Sequence, residues 1–335
     1  MGYFSSLKRF KKILIFFIIF FALIFVFSRG RIYSQDELSY GVTFSQKQAQ
    51  AFGVDWRAVY SAMLNELGVK KIRLSAYWDE VEAKNNQYTW EDLDWQINEA
   101  SKADTEVILA IGGRLPRWPE CHFPDWAEDL TKIEREQEIL EYIEKIVLRY
   151  IGEERIIAWQ VENEPFLSHF GDCPEFSAKF LDKEIALVRS FDDRPIVITD
   201  SGELSVWIFA AKRADIFGTT MYQNTYSEAL DRYINYPISP GFFRFKKNIA
   251  RLFAHPDKWI VIELQAEPWG PIPIVELSRE DKARTMDKEK FAEMLEFSRK
   301  AGFREFYLWG VEWWYWERKV NDNSDMWNKA KKLFK

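Results

Sequence analysis

The chain has 335 residues, a formal charge of -6 from 46 basic and 52 acidic residues, and an aromatic share of 17%, a length that suits one large α/β barrel or two smaller domains. Acids and bases are interspersed with no basic block beyond the N-terminus, which excludes an electrostatic footprint for nucleic acid. Three histidines and two cysteines without His-Glu-x-x-His or Cys-x-x-Cys spacing leave no metal site and no cofactor to expect, and the absence of Gly-x-Ser-x-Gly argues against a serine hydrolase.

The first element is an unbroken apolar run, Ile13 to Phe27, preceded by Lys8, Arg9, Lys11 and Lys12 and followed closely only by Arg29 and Arg31. That bias puts the N-terminus in the cytoplasm and the remainder outside. The reading is a basic tail over 1–12, a transmembrane signal anchor or a cleaved signal peptide over 13–28, a linker over 29–39 and one barrel domain over 40–335. Fifteen residues are short for a span and long for a signal-peptide core, so both forms of the segment stay open.

From residue 40 onward, strand-like and helix-like segments alternate. Strands are expected at Gly41-Ser45, Lys71-Ala76, Glu106-Ile111, Ile156-Val161, Pro195-Thr199, Asp215-Met221, Trp259-Glu263 and Glu305-Trp309. These runs are continuously apolar, as strands covered on both faces must be. Amphipathic stretches lie between them: Trp56-Leu67, Trp90-Lys102, Lys132-Tyr150, Glu175-Ser190 and Lys288-Ala301. Eight such units predict a (β/α)8 TIM barrel, and the missing glycine-rich loop after the first strand disfavours a doubly wound sheet. Inserts after strands six and eight, including Tyr226 to Phe245, are expected to lie over the mouth, and Trp118, Trp126, Trp269, Trp313, Trp314 and Trp316 are expected in loops. Cys121 and Cys173 fall on neighbouring loops, either bridged or as two separate thiols.

Two carboxylates close apolar strands: Glu164 in Trp159-Gln-Val-Glu-Asn-Glu-Pro165 and Glu263 in Trp259-Ile-Val-Ile-Glu-Leu-Gln-Ala-Glu-Pro-Trp269. In a barrel the C-terminal strand ends converge on one mouth, so acids 99 positions apart can face each other. Such a pair suits glycosidic bond cleavage, in which one acid protonates the leaving oxygen and the other attacks the sugar carbon. Glu267 is a rival for the second acid if the strand runs further. Alternation points the Glu162 side chain away from that of Asn163, against a role for it there.

At these residues the chain resembles the clan A glycoside hydrolases, retaining TIM-barrel enzymes of the cellulase and mannanase kind. Asn163-Glu164-Pro165 matches the acid/base motif after strand four, and Ile260-Val-Ile-Glu263 is similar to the nucleophile strand. The resemblance implies that Arg73 and Tyr222 orient Glu263, that Asn163 bonds the sugar's 2-hydroxyl, and that Trp309 floors the subsite where cleavage occurs. It also implies a β-linked poly- or oligosaccharide substrate, in that clan's manner. Strand six, Gly218-Thr-Thr-Met-Tyr222, lacks the histidine that family 5 relatives often carry there, and His122, His169 and His255 lie in expected loops or helix ends. A barrel that binds carbohydrate without catalysis and an envelope-glycan transglycosylase are the competing readings.

Overall fold

The computed structural model describes residues 13, 15, 25–167, 170–174 and 177–334. The barrel strands are β1 (Ser39–Thr43), β2 (Lys71–Ser75), β3 (Glu106–Ile111), β4 (Ile156–Val161), β5 (Ile196–Asp200) and β6 (Ile216–Met221). A two-stranded antiparallel hairpin follows, β7 (Asn224–Ser227) and β8 (Arg232–Asn235), before β9 (Lys258–Gln265) and β10 (Glu305–Trp309) complete the circuit. The eight barrel strands are all parallel and close through pairing of β1 with both β2 and β10.

The larger connecting helices are α1 (Trp56–Ala62), α2 (Glu91–Lys102), α3 (Lys132–Tyr150), α4 (Ala178–Phe191), α5 (Pro240–Ala250), α6 (Lys288–Lys300) and α7 (Val311–Val320). Their starts follow from local chemistry. Thr131 and Glu134 form a reciprocal capping box on α3, and Ser177 and Asp287 accept backbone N–H groups at the starts of α4 and α6. The α1 segment runs on as a π-turn, Met63–Leu67, which Gly68 ends at φ 77°.

Two apolar layers hold the barrel. Ile108, Ala158, Val197, Ile216, Ile260, Ile262 and Tyr307, drawn from strands alone, fill its inside. Outward strand residues such as Trp159, Phe217 and Val261 pack with Tyr142, Ile143 and Phe291 of the helices. At the N-terminal end of the barrel, Lys71 and Lys258 both donate to Glu305, at 2.6 and 2.7 Å.

Several expected boundaries shift. β1 starts two residues early, and Ser45 caps a short helix instead of ending the strand. Trp313, Trp314 and Trp316 are buried on α7, which begins directly after β10, so no long insert follows the last strand. The stretch from Tyr226 to Phe245 is part of the hairpin and the start of α5, not an unstructured loop. β9 runs to Gln265, beyond Glu263. The expected membrane segment, 13–28, lies largely outside the described residues; among the described residues no helix is long and apolar enough to cross a membrane.

Candidate active site

Glu263 reaches the mouth through an irregularity in its strand. Val261 and Leu264 belong to the outer layer and Ile262 to the inner one, so strict alternation would turn Glu263 outward. The pairing with β6 skips from Thr219↔Val261 to Thr220↔Glu263, and the pairing with β10 skips from Phe306↔Val261 to Leu308↔Leu264. One extra residue in β9 therefore points two consecutive side chains inward, as a bulge does when it re-aims a side chain.

Both oxygens of Glu263 are held. Arg73 Nη1 on β2 donates to Oε1 at 2.7 Å, and the Tyr222 hydroxyl, one residue past β6, donates to Oε2 at 2.9 Å. Arg73 is fully buried, and its other donors go to Gln160 Oε1 at 2.8 Å and Asn163 Oδ1 at 2.7 Å. The guanidinium thus ties the end of β4 to Glu263 with charge-assisted bonds. Burial, followed by the charge of Glu263, raises the Tyr222 hydroxyl well above its usual range, so it stays a donor.

Glu164 follows Asn163 in a turn where Glu162 and Glu164 both take left-handed backbone, at φ 60° and 43°. Thr199 Oγ1 on β5 accepts the Glu164 backbone N–H at 2.8 Å, while the side-chain Oε1 is buried without a hydrogen-bond partner among the described residues. Burial pushes the Glu164 carboxyl well above the ordinary range, and the charges of Glu263, Glu120 and Asp200 add to the push. Glu164 and Glu263 are 6% and 5% exposed. The mouth therefore joins an acid that favours its proton to a carboxylate clasped by two donors.

The β3–β4 side of the mouth holds residues that motif reasoning missed. Gly112 takes φ 116°, and a Cβ there would lie 2.3 Å from Glu162 Oε1. Glu162 accepts the Gly113 and Arg114 backbone N–H groups at 2.8 and 2.6 Å, so it anchors the loop. From that loop Arg117 pairs with Glu267 and with Glu312 of α7, and its guanidinium carbon lies 4.0 Å from the Trp309 ring centre. Glu267 is thus a buried ion-pair partner, even though β9 extends past Glu263. One face of the Trp309 ring is thus covered by Arg117.

Glu120, on the same loop, accepts from Asn163 Nδ2 at 2.8 Å. Burial and the Glu263 charge push its carboxyl up to about 8. Cys121 and Cys173 are bridged, with Cα atoms 5.3 Å apart, which links this loop to the one after β4. Trp118, Phe170 and Trp269 line the rim, their rings in edge or tilted contact. Glu203 accepts the Tyr222 backbone N–H at 2.8 Å. Irregular loop backbone carries Arg117 and Glu120, so their only sequence signal was proximity to the Cys121 loop.

Residues 32–176, which contain β1 to β4 and Glu164 but stop before Glu263, match the model of glycosyl hydrolase family 10. A curated β-galactosidase, BgaA of Clostridium cellulovorans, is 24% identical over 165 residues, 43% of this chain; the chain spans only 25% of that relative. Among solved structures, an exo-β-1,4-mannosidase from Opitutaceae bacterium strain TAV5 superposes with a TM-score of 0.57 at 14% identity, over 81% of this chain and 51% of that one. The xylanase 10B of Thermotoga petrophila, in complex with xylobiose, gives 0.56 at 14% identity over 82% of each. A family 10 xylanase of Thermobacillus composti gives 0.52 at 14% identity, over 89% of this chain and 97% of that one. These structural likenesses speak to the fold. Together with the family match, they agree with the resemblance to the clan A glycoside hydrolases.

Proposed function

We propose that the chain is a retaining glycoside hydrolase that cleaves β-linked O-glycosidic bonds of a poly- or oligosaccharide outside the cytoplasm. One observation carries this reading: Glu263 is clasped by Arg73 and Tyr222 while the neighbouring Glu164 is buried, unpartnered at Oε1 and held toward its protonated form. Two carboxyls in opposite protonation states are what double displacement requires.

In the first half-reaction Glu263 attacks the anomeric carbon and Glu164 gives its proton to the departing oxygen. The sugar is then an ester of Glu263, whose charge no longer presses on Glu164. In the second, Glu164 takes a proton from water, the water oxygen attacks the same carbon, and Glu263 leaves as carboxylate. Asn163 stands beside the substituent on C2, and Trp309 with Arg117 walls the cleavage subsite. The xylanase, mannosidase and galactosidase relatives support a β-linked neutral backbone as the starting substrate set. The basic flank and apolar run at the N-terminus support a single-pass anchor with the barrel outside, or a secreted barrel if the run is cleaved.

Replacing Glu263 by Gln should abolish turnover of β-glycans while sugar affinity persists; unchanged rates would remove it from the mechanism. For Glu164→Ala, aryl glycosides with good leaving groups should lose less of the first step, and added azide should restore part of the second. NMR of the first-formed anomer reads the stereochemistry: an inverted product rejects the double displacement.

A further inference from the structure

Around the barrel the strands follow the order β1-β2-β3-β4-β5-β6-β9-β10. Glu164 comes after β4 and Glu263 lies on β9, so the reacting carbon sits between those two strand ends. The loop after β3 crosses the mouth beside it. Arg117 of that loop pairs with Glu267, two residues past β9, and with Glu312 of α7, past β10, at 2.9 Å. A chord from β3 to β9 and β10 separates the ends of β1 and β2 from those of β4, β5 and β6.

The sector behind the chord is filled. Ser45, just past β1, is buried, and its backbone N–H donates to Glu312 Oε1 at 2.5 Å. Its Oγ lies 2.8 Å from the hydroxyl of Tyr77, just past β2, which donates to the Pro116 carbonyl of the crossing loop at 3.1 Å. Tyr77 and Pro116 are buried as well. Above this plug the Trp118, Phe170 and Trp269 rings form a second tier, and Arg114 Nη2 ties the Phe170 carbonyl to the crossing loop at 2.8 Å. Substrate does not push such a wall aside cheaply, because parting Arg117 from Glu267 and Glu312 strands buried charge. On the other side of Glu164, whose backbone is bonded to Thr199 of β5, the loop after β5 carries Leu204 and Val206 more than half exposed.

We propose that the enzyme is exo-acting: it takes the non-reducing end of a β-linked chain into a pocket for one sugar and releases that sugar alone, with the Arg117 strap as the determinant. The inference rests on the reading that Glu263 attacks and Glu164 protonates the leaving oxygen. The leaving part of the chain then extends past Glu164, toward the open ends of β5 and β6. The attacked sugar lies on the opposite side, against Trp309 and Arg117. In a 1,4-linked chain C4 is across the ring from C1, so the bond to any preceding sugar points into the plug made by Arg117, Glu312, Ser45 and Tyr77. An endo-acting cleft would need a groove there.

The test gives the full chain, in mild detergent, β-1,4-linked xylo-, manno-, gluco- and galactopentaoses labelled at the reducing end, with nitrophenyl β-glycosides of the same sugars beside them. Early in turnover the products should be free monosaccharide and labelled tetraose. Methylating the 4-hydroxyl of the non-reducing terminal sugar should lower kcat/KM by about tenfold or more. Arg117→Ala combined with Glu267→Gln and Glu312→Gln, which leaves no stranded charge, should shrink that penalty. Labelled bioses or trioses from the outset, or equal rates for capped and free ends, overturn the exo reading and leave the glycosidase reading intact. A penalty unchanged in the triple variant overturns the role of the Arg117 strap. No turnover of any glycoside overturns both readings.

Discussion

At the scale of single residues, the clasp on Glu263 makes the sharpest claim. Tyr222 donates one hydrogen bond to a charged acceptor, and such bonds contribute about 1.5–3 kcal/mol. Tyr222→Phe keeps the ring against Trp269, whose centre is 5.4 Å away, and removes only the donor. Steady-state kinetics should show kcat lower by about 10- to 150-fold. Arg73→Lys should cost more, because one ammonium cannot meet Gln160, Glu263 and Asn163 in a planar fork. The positions of Glu164, Glu263, Arg73 and Tyr222 were legible in the sequence because each lies on or within three residues of an apolar run that reads as a barrel strand, although the bulge that aims Glu263 and the left-handed turn at Glu164 were not. Arg117 and Glu120 were not, because both take positive φ on irregular backbone, at 85° and 75°, that no periodicity describes.

Between elements, the loop after β3, which carries Arg117 and Glu120, is held at two ends. Glu162 secures its start through the Gly113 and Arg114 N–H groups, and the Cys121–Cys173 bridge secures its far end across 52 positions. Closing a loop of that length removes unfolded-state entropy worth about 4 kcal/mol in the chain-entropy model. A Cys121→Ser/Cys173→Ser variant should therefore melt several degrees lower. Its KM should rise more than its kcat falls, since Arg117 and Glu120 move with the loop while Arg73 and Tyr222 stay on their strands. Equal losses in kcat and KM would place the bridge's role elsewhere. The order and type of the strands were readable because continuous apolar runs leave few alternatives for a parallel sheet. The bulge in β9 was not, since Ile260-Val-Ile-Glu263 reads as plain alternation and only the pairing with β6 and β10 exposes the extra residue.

Over the whole molecule, the balance of buried acids sets how stability responds to pH. Glu162 and Glu184 of α4 are both fully buried, and among the described residues no other side chain donates to Glu184. One of the pair must hold a proton. Burial pushes Glu162 up to about 7, and burial plus the Glu162 charge push Glu184 well above the ordinary range. Burial likewise lifts Asp200 to about 6, Glu203 and Glu312 to about 7 and Glu120 to about 8. In each case the native state keeps a proton that the unfolded chain releases near 4.5, or 3.8 for Asp200. The unfolded state then binds fewer protons, so the stability these groups contribute is complete below those values and is lost as pH rises through about 6 to 8. The melting temperature should fall between about pH 5 and about pH 8, the reverse of a protein whose carboxyls are depressed by salt bridges. Glu184→Gln isolates the Glu162–Glu184 pair: its amide supplies Glu162 with a donor that never titrates. The variant should match the parent near pH 5 and exceed it by several degrees near pH 8, read by thermal melts followed in circular dichroism. Parallel pH profiles for the two proteins would show that the Glu162–Glu184 proton is not what couples folding to pH.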